Sequence, residues 1–273
     1  MFGILTVQQQ EGLPLTQRTA LRLRPEKSIR HGENLFRMAM FCHAEVTLCT
    51  GWSDSLQRRR VDKALQWLRS RGVREAVLPH EWKRQAADGG VIPASRRAAL
   101  EACAPQAVSL ACSSLQLPMG QVCLVVYGRQ ISQRASAQLL TLAKSLRTLR
   151  IYGEGNEELR TRLWRSCGIA DHGVLPDGAP VLGLLLPGGE ARDDTILTVD
   201  LSDGLGSGEG LLWQPQPLPP QGALARLPEG ADPAAYASIL LQKGAIQSRE
   251  IHVSRLDIPE STQYNKEIVE NCL

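Results

Sequence analysis

The stretch Val122-Cys123-Leu124-Val125-Val126-Tyr127 decides the fold, because it is an unbroken apolar run that enters Gly128. A run of this length before a glycine is typical of a strand buried on both faces of a parallel sheet. A helical pattern follows over 132–146, and a second strand, 149–152, enters Gly153. This order of strand, helix and strand predicts a βαβ unit.

The same alternation continues toward the C-terminus. Spacing of apolar residues predicts a helix over 156–167, which Gly168 ends. A short strand is predicted near 172–175, and two buried strands are predicted over 181–186 and 195–201. Repeated strands and helices of this kind predict a doubly wound parallel α/β sheet over residues 119–230.

The turn after the first strand lacks the fingerprint of a dinucleotide site. G-x-G-x-x-G is expected there, since its glycines let the pyrophosphate approach the backbone. The turn reads Gly128-Arg129-Gln130-Ile131-Ser132-Gln133, so a single glycine stands in place of three. An enzyme would need free backbone N–H groups in this turn, whereas a binding module can fill the space with the side chains of Arg129 and Gln130.

Residues 1–118 predict a separate α/β domain. Strands are expected over 4–7, 36–50 and 75–78, and a helix over 55–71 that ends at Gly72. The order strand, helix, strand again favours parallel pairing. A further helix is predicted over 93–104, and 105–120 is ambiguous.

The C-terminal part divides into a loop and a structured return. Residues 203–230 are rich in glycine and proline and are predicted as a loop or linker. Pro217 and Pro220 match P-x-x-P, but so short a pattern is common by chance. Residues 231–273 predict a helix over 234–243 capped by Asp232-Pro233, a strand over 251–258 and a final helix. We expect this segment to return to one of the two domains.

Composition is that of an ordinary globular protein. The chain has 273 residues, 43% hydrophobic and 22% charged. No apolar stretch approaches the roughly 20 residues that cross a bilayer, and no signal peptide is recognised. Seven cysteines without a CxxC pair indicate reduced thiols, so a cytoplasmic location is expected.

Charge is distributed unevenly between the two halves. Residues 1–118 carry 17 Lys/Arg against 10 Asp/Glu, while residues 119–273 carry 14 against 18. Basic residues cluster in 18–37 and 58–63, which allows contact with an anionic partner. Aromatic residues make up only 4% of the chain, so nucleic-acid binding is not expected.

Two strand ends supply the candidate binding residues. Gly153-Glu154-Gly155-Asn156 follows the second strand, where Glu154 occupies the place of the acid that contacts a ribose in dinucleotide-binding folds. Asp200 and Asp203 end the strand over 195–201, and they suit acid–base chemistry, a hard cation or a simple turn. With Gly128, these residues are the candidate cofactor and cleft positions.

His80 is the candidate in the first domain, since it follows a predicted parallel strand. Its position suits a general base, although a lone histidine on a loop is usually inert. Cys42, His43 and Cys49 do not predict a metal site, because neighbouring residues of a strand face opposite sides.

The layout resembles that of shikimate dehydrogenase-like proteins. The resemblance rests on the units 122–146 and 149–167 and on the strands 181–186 and 195–201. It implies an N-terminal substrate domain, a Rossmann domain and a helix that returns. Neither the family's G-A-G-G loop nor its N-V-T-x-P catalytic motif is present, so no catalytic residue carries over. The segments LRIYGEGNEELRTRLWRSCGI and VLGLLLPGG also resemble Rossmann-like proteins of spore-forming Firmicutes.

The sequence therefore predicts a non-catalytic binding or regulatory protein on a Rossmann-like fold, without a cofactor. The alternative is an NAD(P)-dependent oxidoreductase related to shikimate dehydrogenase. The expected partner is a protein or a small molecule, and a homodimer is left open.

Overall fold

The structure is a computed structural model, and it describes residues 1–10, 29–169, 178–208 and 210–257. The chain divides into two compact units. The first comprises Met1–Arg96 and Pro219–Gln247, and the second comprises Arg97–Leu218 together with the chain from Ser248 onward. Both are mixed α/β structures, which confirms the predicted fold class.

The first unit is built on a five-stranded sheet. Its strands are β1 (Phe2–Gln10), β2 (Ile29–Phe36), β3 (Ala39–Cys49), β4 (Glu75–Val77) and β5 (Ile92–Pro93), in the order β2-β3-β1-β4-β5. Strands β3 and β4 both pair in parallel with β1, as the predicted βαβ unit requires. Only β2 is antiparallel, and it forms a hairpin with β3.

Four α-helices complete the described part of the first unit. They are α1 (Asp54–Ser70), α2 (Lys83–Asp88), and the later α6 (Gln221–Leu224) and α7 (Pro233–Gln242). Val61, Leu65 and Leu68 of α1 are buried in a core that they share with β3. Helix α7 contributes Tyr236, whose ring packs against Phe2 and Phe41.

The second unit contains a six-stranded sheet in the order β13-β12-β10-β8-β6-β7. The strands are β6 (Cys123–Tyr127), β7 (Thr148–Tyr152), β8 (Val181–Leu185), β10 (Leu197–Asp200), β12 (Leu212–Leu218) and β13 (His252–Asp257). All pairs are parallel except β12 with β13. Two short strands, β9 (Glu190–Ala191) and β11 (Ser207–Gly208), pair separately.

Strand β6 lies between β7 and β8, so the chain leaves it on one side and returns on the other. This reversal of strand order is the mark of a doubly wound sheet. Helices α3 (Arg97–Ser114), α4 (Gln133–Ala143) and α5 (Glu157–Cys167) share one hydrophobic core with the sheet. The hydroxyl of Ser132 accepts a hydrogen bond from the Ala135 amide, which confirms the predicted N-cap of α4.

Three predicted elements require correction. The strand over 36–50 is interrupted, because Arg37 has a φ of 51° and turns the chain between β2 and β3. The helix over 93–104 instead spans α3, which begins at Arg97 and continues through Pro105 to Ser114. The loop over 203–230 contains β12 and the short helix α6 (Gln221–Leu224).

The two units do not follow the predicted divisions at 118/119 and 230/231. Helix α3 belongs to the second unit, where Leu100, Ala104 and Val108 enter its core. Residues 219–247 belong to the first unit, because Tyr236 completes an aromatic cluster there. The strand predicted near 172–175 and the final helix lie outside the described residues.

Candidate functional site

The candidate site lies where β6, β7 and β8 end. Parallel sheets bind ligands beyond the carboxyl ends of their strands, at the point where strand order reverses. In this protein that point lies between β6 and β8. The loops that follow the three strands begin at Gly128, Gly153 and Leu186.

Three amides of the loop after β6 donate hydrogen bonds within the protein. The Gly128 N–H donates to the carbonyl oxygen of Tyr152 at 3.0 Å, and the Gln130 N–H donates to that of Glu154 at 3.3 Å. The Ile131 N–H donates to the side-chain Oδ1 of Asn156 at 3.0 Å. These are the donors that a pyrophosphate would need, and each already has an acceptor.

Asn156 fastens the two loops together. Its side-chain nitrogen donates to the carbonyl oxygen of Gly128 at 2.9 Å, while its oxygen accepts from Ile131. It occupies the N-cap position of α5, yet its side chain makes no hydrogen bond to that helix. Only 3% of Asn156 is exposed. The two hydrogen bonds give Asn156 a structural role, and its predicted role as a ligand contact stays a prediction.

The glycines of the second loop permit close approach of the loop after β6. Gly153 has a φ of 119°, and a Cβ there would collide with the carbonyl oxygen of Gly128. Gly155 has a φ of 76° and lies against the side chain of Gln130. Glu154 is exposed, and its carbonyl oxygen is the acceptor for the Gln130 amide.

Two cavities lie beside the closed loops. One, of about 470 Å³, is lined by Ile131, Gly155, Asn156 and residues of α4 and α5. We call the other, smaller one the strand-end cleft. Its volume is about 140 Å³. It is lined by Tyr127, Gly128, Arg129, Tyr152, Gly153, Gly188, Gly189, Glu190 and Arg192. Gly189 packs so tightly on the end of β6 that a Cβ would collide with the carbonyl oxygen of Tyr127. The cleft is therefore shallow, and backbone atoms form part of its wall.

Two arginines give the strand-end cleft its charge. Arg129 follows β6 and lies beside Gly188, and Arg192 follows β9 with its guanidinium 4.9 Å from the ring centre of Tyr152. Within the described ranges neither arginine forms an ion pair. Glu190 is the single acidic residue among the lining side chains.

Tyr127 and Tyr152 form the aromatic wall of the cleft. Their rings stack with centres 5.8 Å apart. The Tyr127 hydroxyl donates to Oδ1 of Asp194 at 2.6 Å. Burial, followed by this hydrogen bond, raises the pKa of Tyr127 well above that of an ordinary tyrosine. The phenol therefore stays protonated and neutral at physiological pH.

In the predicted acidic pair at the end of β10, Asp200 has hydrogen-bond partners within the protein and Asp203 lies in a turn. Asp200 is buried, and it accepts hydrogen bonds from the Ser202 amide at 2.8 Å and from the Gln214 side chain at 3.1 Å. Asp203 has a φ of 54° and precedes Gly204 in a turn. These contacts give Asp200 a structural use, and neither residue lines the strand-end cleft.

His80 and the basic cluster belong to the first unit. His80 is exposed in a short 3₁₀ turn after β4. Arg60, within the basic stretch 58–63, is buried with its guanidinium 5.5 Å from the ring centre of Trp52. Part of that stretch therefore packs against the core.

The described residues contain no group of three His, Cys, Asp or Glu side chains that could hold a metal ion. His43 instead hydrogen-bonds through Nε2 to the Thr6 hydroxyl at 2.8 Å, and burial lowers its pKa. Cys42 lies 3.5 Å from the Met1 sulfur.

Comparisons with known proteins identify no family. No protein-family model matches the chain, and no curated protein matches it. One solved structure that it is similar to is L-tryptophan dehydrogenase from Nostoc punctiforme, at 10% identity and a TM-score of 0.27. The match covers 76% of this chain and 62% of that chain. The resemblances to shikimate dehydrogenase and to the Firmicutes proteins stay predictions.

Of the residues that line the strand-end cleft, the sequence predicts Gly128 and Gly153 as binding positions but not most of the others. Tyr152, Gly189 and Arg192 were not among the candidate residues. The available signal was Pro187-Gly188-Gly189, which directly follows the buried strand β8.

In the described part of the chain no helix is long and apolar enough to span a membrane.

Proposed function

We propose that this protein is a non-catalytic binding protein that accepts a small ligand in the strand-end cleft and does not bind a dinucleotide. One observation carries the proposal: the amides of Gly128, Gln130 and Ile131 donate to acceptors inside the protein. A pyrophosphate at this position would have to displace all three hydrogen bonds.

The size of the cleft supports a small ligand. Pockets for drug-sized molecules and cofactors measure about 300–1,000 Å³. The strand-end cleft measures about 140 Å³, which is enough for a single compact group. A nicotinamide dinucleotide would extend far outside it.

The alternative function is an NAD(P)-dependent oxidoreductase. It would require the loops at Gly128 and Gly153 to separate, with loss of the hydrogen bonds that Asn156 makes to both. Each such bond contributes roughly 1 kcal/mol, and a buried group left unpaired costs about 1–3 kcal/mol. Dinucleotide binding would have to compensate this loss.

A thermal-shift experiment separates the two functions. The protein is melted alone and with millimolar NAD, NADP, NADH or NADPH. A ligand present at about 100 times its Kd would stabilise the native state by roughly 2.7 kcal/mol, a rise of several degrees. We expect no rise with any of them. A clear rise with one dinucleotide would refute the proposal and favour the oxidoreductase.

A further inference from the structure

We propose that the ligand of the strand-end cleft is a compact oxyanion, a phosphate or carboxylate group held by Arg129 and Arg192. This inference rests on the proposed function and adds the chemical class of the ligand. Arg129 and Arg192 reach the cleft from separate loops, after β6 and after β9.

The charge balance of the cleft favours an anion. Arg129 and Arg192 outnumber the one acidic lining residue, Glu190, so the charged side chains that line the cleft sum to +1. Close by, Arg150 adds a positive charge, with its guanidinium 5.2 Å from the ring centre of Tyr152, and Asp194 adds a negative charge beside Tyr127, so the net charge around the cleft stays positive. A guanidinium presents its donors in a planar fork that matches carboxylate and phosphate oxygens.

The position of Arg192 is held by an aromatic ring instead of a carboxylate. Its guanidinium lies over Tyr152, which is itself stacked on Tyr127. Tyr127 is fixed in turn by its hydrogen bond to Asp194. Stacking of this kind orients an arginine while leaving its N–H groups available to a ligand.

The backbone contributes one further donor. The Gly188 and Gly189 amides donate to the carbonyl oxygens of Leu205 and Leu186. The Arg129 amide, by contrast, has no hydrogen-bond acceptor among the residues that the structure describes. One amide and two guanidinium groups around a cleft of about 140 Å³ suit one tetrahedral or planar oxyanion.

Isothermal titration at low ionic strength tests the proposal, with inorganic phosphate, acetate and methylammonium chloride as probes. We expect phosphate or acetate to bind with one site per chain and methylammonium not to bind. The tighter of the two anions identifies the ligand as a phosphate or a carboxylate. Raising the salt concentration should weaken binding, because the charges are exposed.

Three variants locate the site. Arg129→Gln and Arg192→Gln should each weaken anion binding by roughly 10- to 100-fold, as expected for loss of a charge-assisted hydrogen bond. Arg165→Gln is the matched control, since Arg165 is an exposed arginine on α5 outside the cleft, and it should leave affinity unchanged. Thermal melts of all three should match that of the wild type.

Three results would overturn the inference. Equal weakening in all three variants, or in none, would show that the anion binds elsewhere. If neither phosphate nor acetate binds and no dinucleotide shifts the melting temperature, the inference of an oxyanion ligand is refuted. The proposal of a non-catalytic binding protein is then not affected. A thermal shift by NAD or NADP would refute both.

Discussion

Replacing Asn156 by alanine removes the side chain that fastens the loops after β6 and β7. The substitution leaves two groups without their partner, the Ile131 amide and the Gly128 carbonyl oxygen. Both lie beside a residue that is only 3% exposed, so water replaces the lost bonds poorly. At about 1.5 kcal/mol for each unpaired group, we expect a loss of about 3 kcal/mol in the free energy of unfolding.

Urea denaturation followed by circular dichroism measures this loss. Asn34→Ala is the control, since it makes the same truncation at an exposed position of β2 and should change stability by less than about 0.5 kcal/mol. If Asn156→Ala is no less stable than Asn34→Ala, then Asn156 does not hold the loops, and the reasoning about the closed phosphate position is wrong.

Three further substitutions test separate parts of the structure. Gly153→Ala should destabilise by more than about 3 kcal/mol, because its Cβ collides with backbone across the loop and its φ of 119° lies outside the left-handed helical region. Gly168→Ala has open space and a left-handed φ of 68°, so it should cost only about 1 kcal/mol. Urea denaturation compares the two variants. Tyr236→Phe should keep or raise stability at neutral pH, because the buried hydroxyl has no hydrogen-bond partner among the described residues. Burial raises the pKa of Tyr236 from 10.0 to about 12, so the folded state holds this proton more tightly. The wild type should therefore lose stability relative to the variant as pH rises from 10 toward 12, and parallel curves would contradict this. Asp232→Ala should lower the free energy of unfolding by about 2 kcal/mol, because the Asp232 carboxylate caps α7 and pairs with Arg96 at 2.6 Å. Asp232→Asn should keep the cap and lose about half as much stability. Thermal melts distinguish the two variants.

The elements of the fold could be predicted from the sequence wherever one local signal decides. Buried apolar runs marked β6, β8 and β10, and glycines marked the ends of α1 and α5. The hairpin turn at Arg37 escaped prediction because Met38 and Met40 continue the apolar alternation, although the structure exposes both. Strand β12 was missed because its prolines favour a loop reading.

The candidate site was less accessible to sequence reasoning. The missing glycines after β6 indicate that this turn differs from a dinucleotide-binding turn. The acceptor for the Ile131 amide comes from Asn156, which is 25 residues away, and no local pattern links the two. Likewise Arg192 reaches Tyr152 only through the tertiary fold. Close packing of strand ends depends on pairing order, which the sequence alone left open.

Native-state hydrogen exchange measured by NMR tests the central claim most directly. The account predicts that the amides of Gly128, Gln130 and Ile131 exchange far more slowly than the neighbouring Arg129 amide, and that adding NAD or NADP changes none of these rates. If the three amides exchange as fast as Arg129 and become protected when a dinucleotide is added, the loop is open to a pyrophosphate and the account is contradicted.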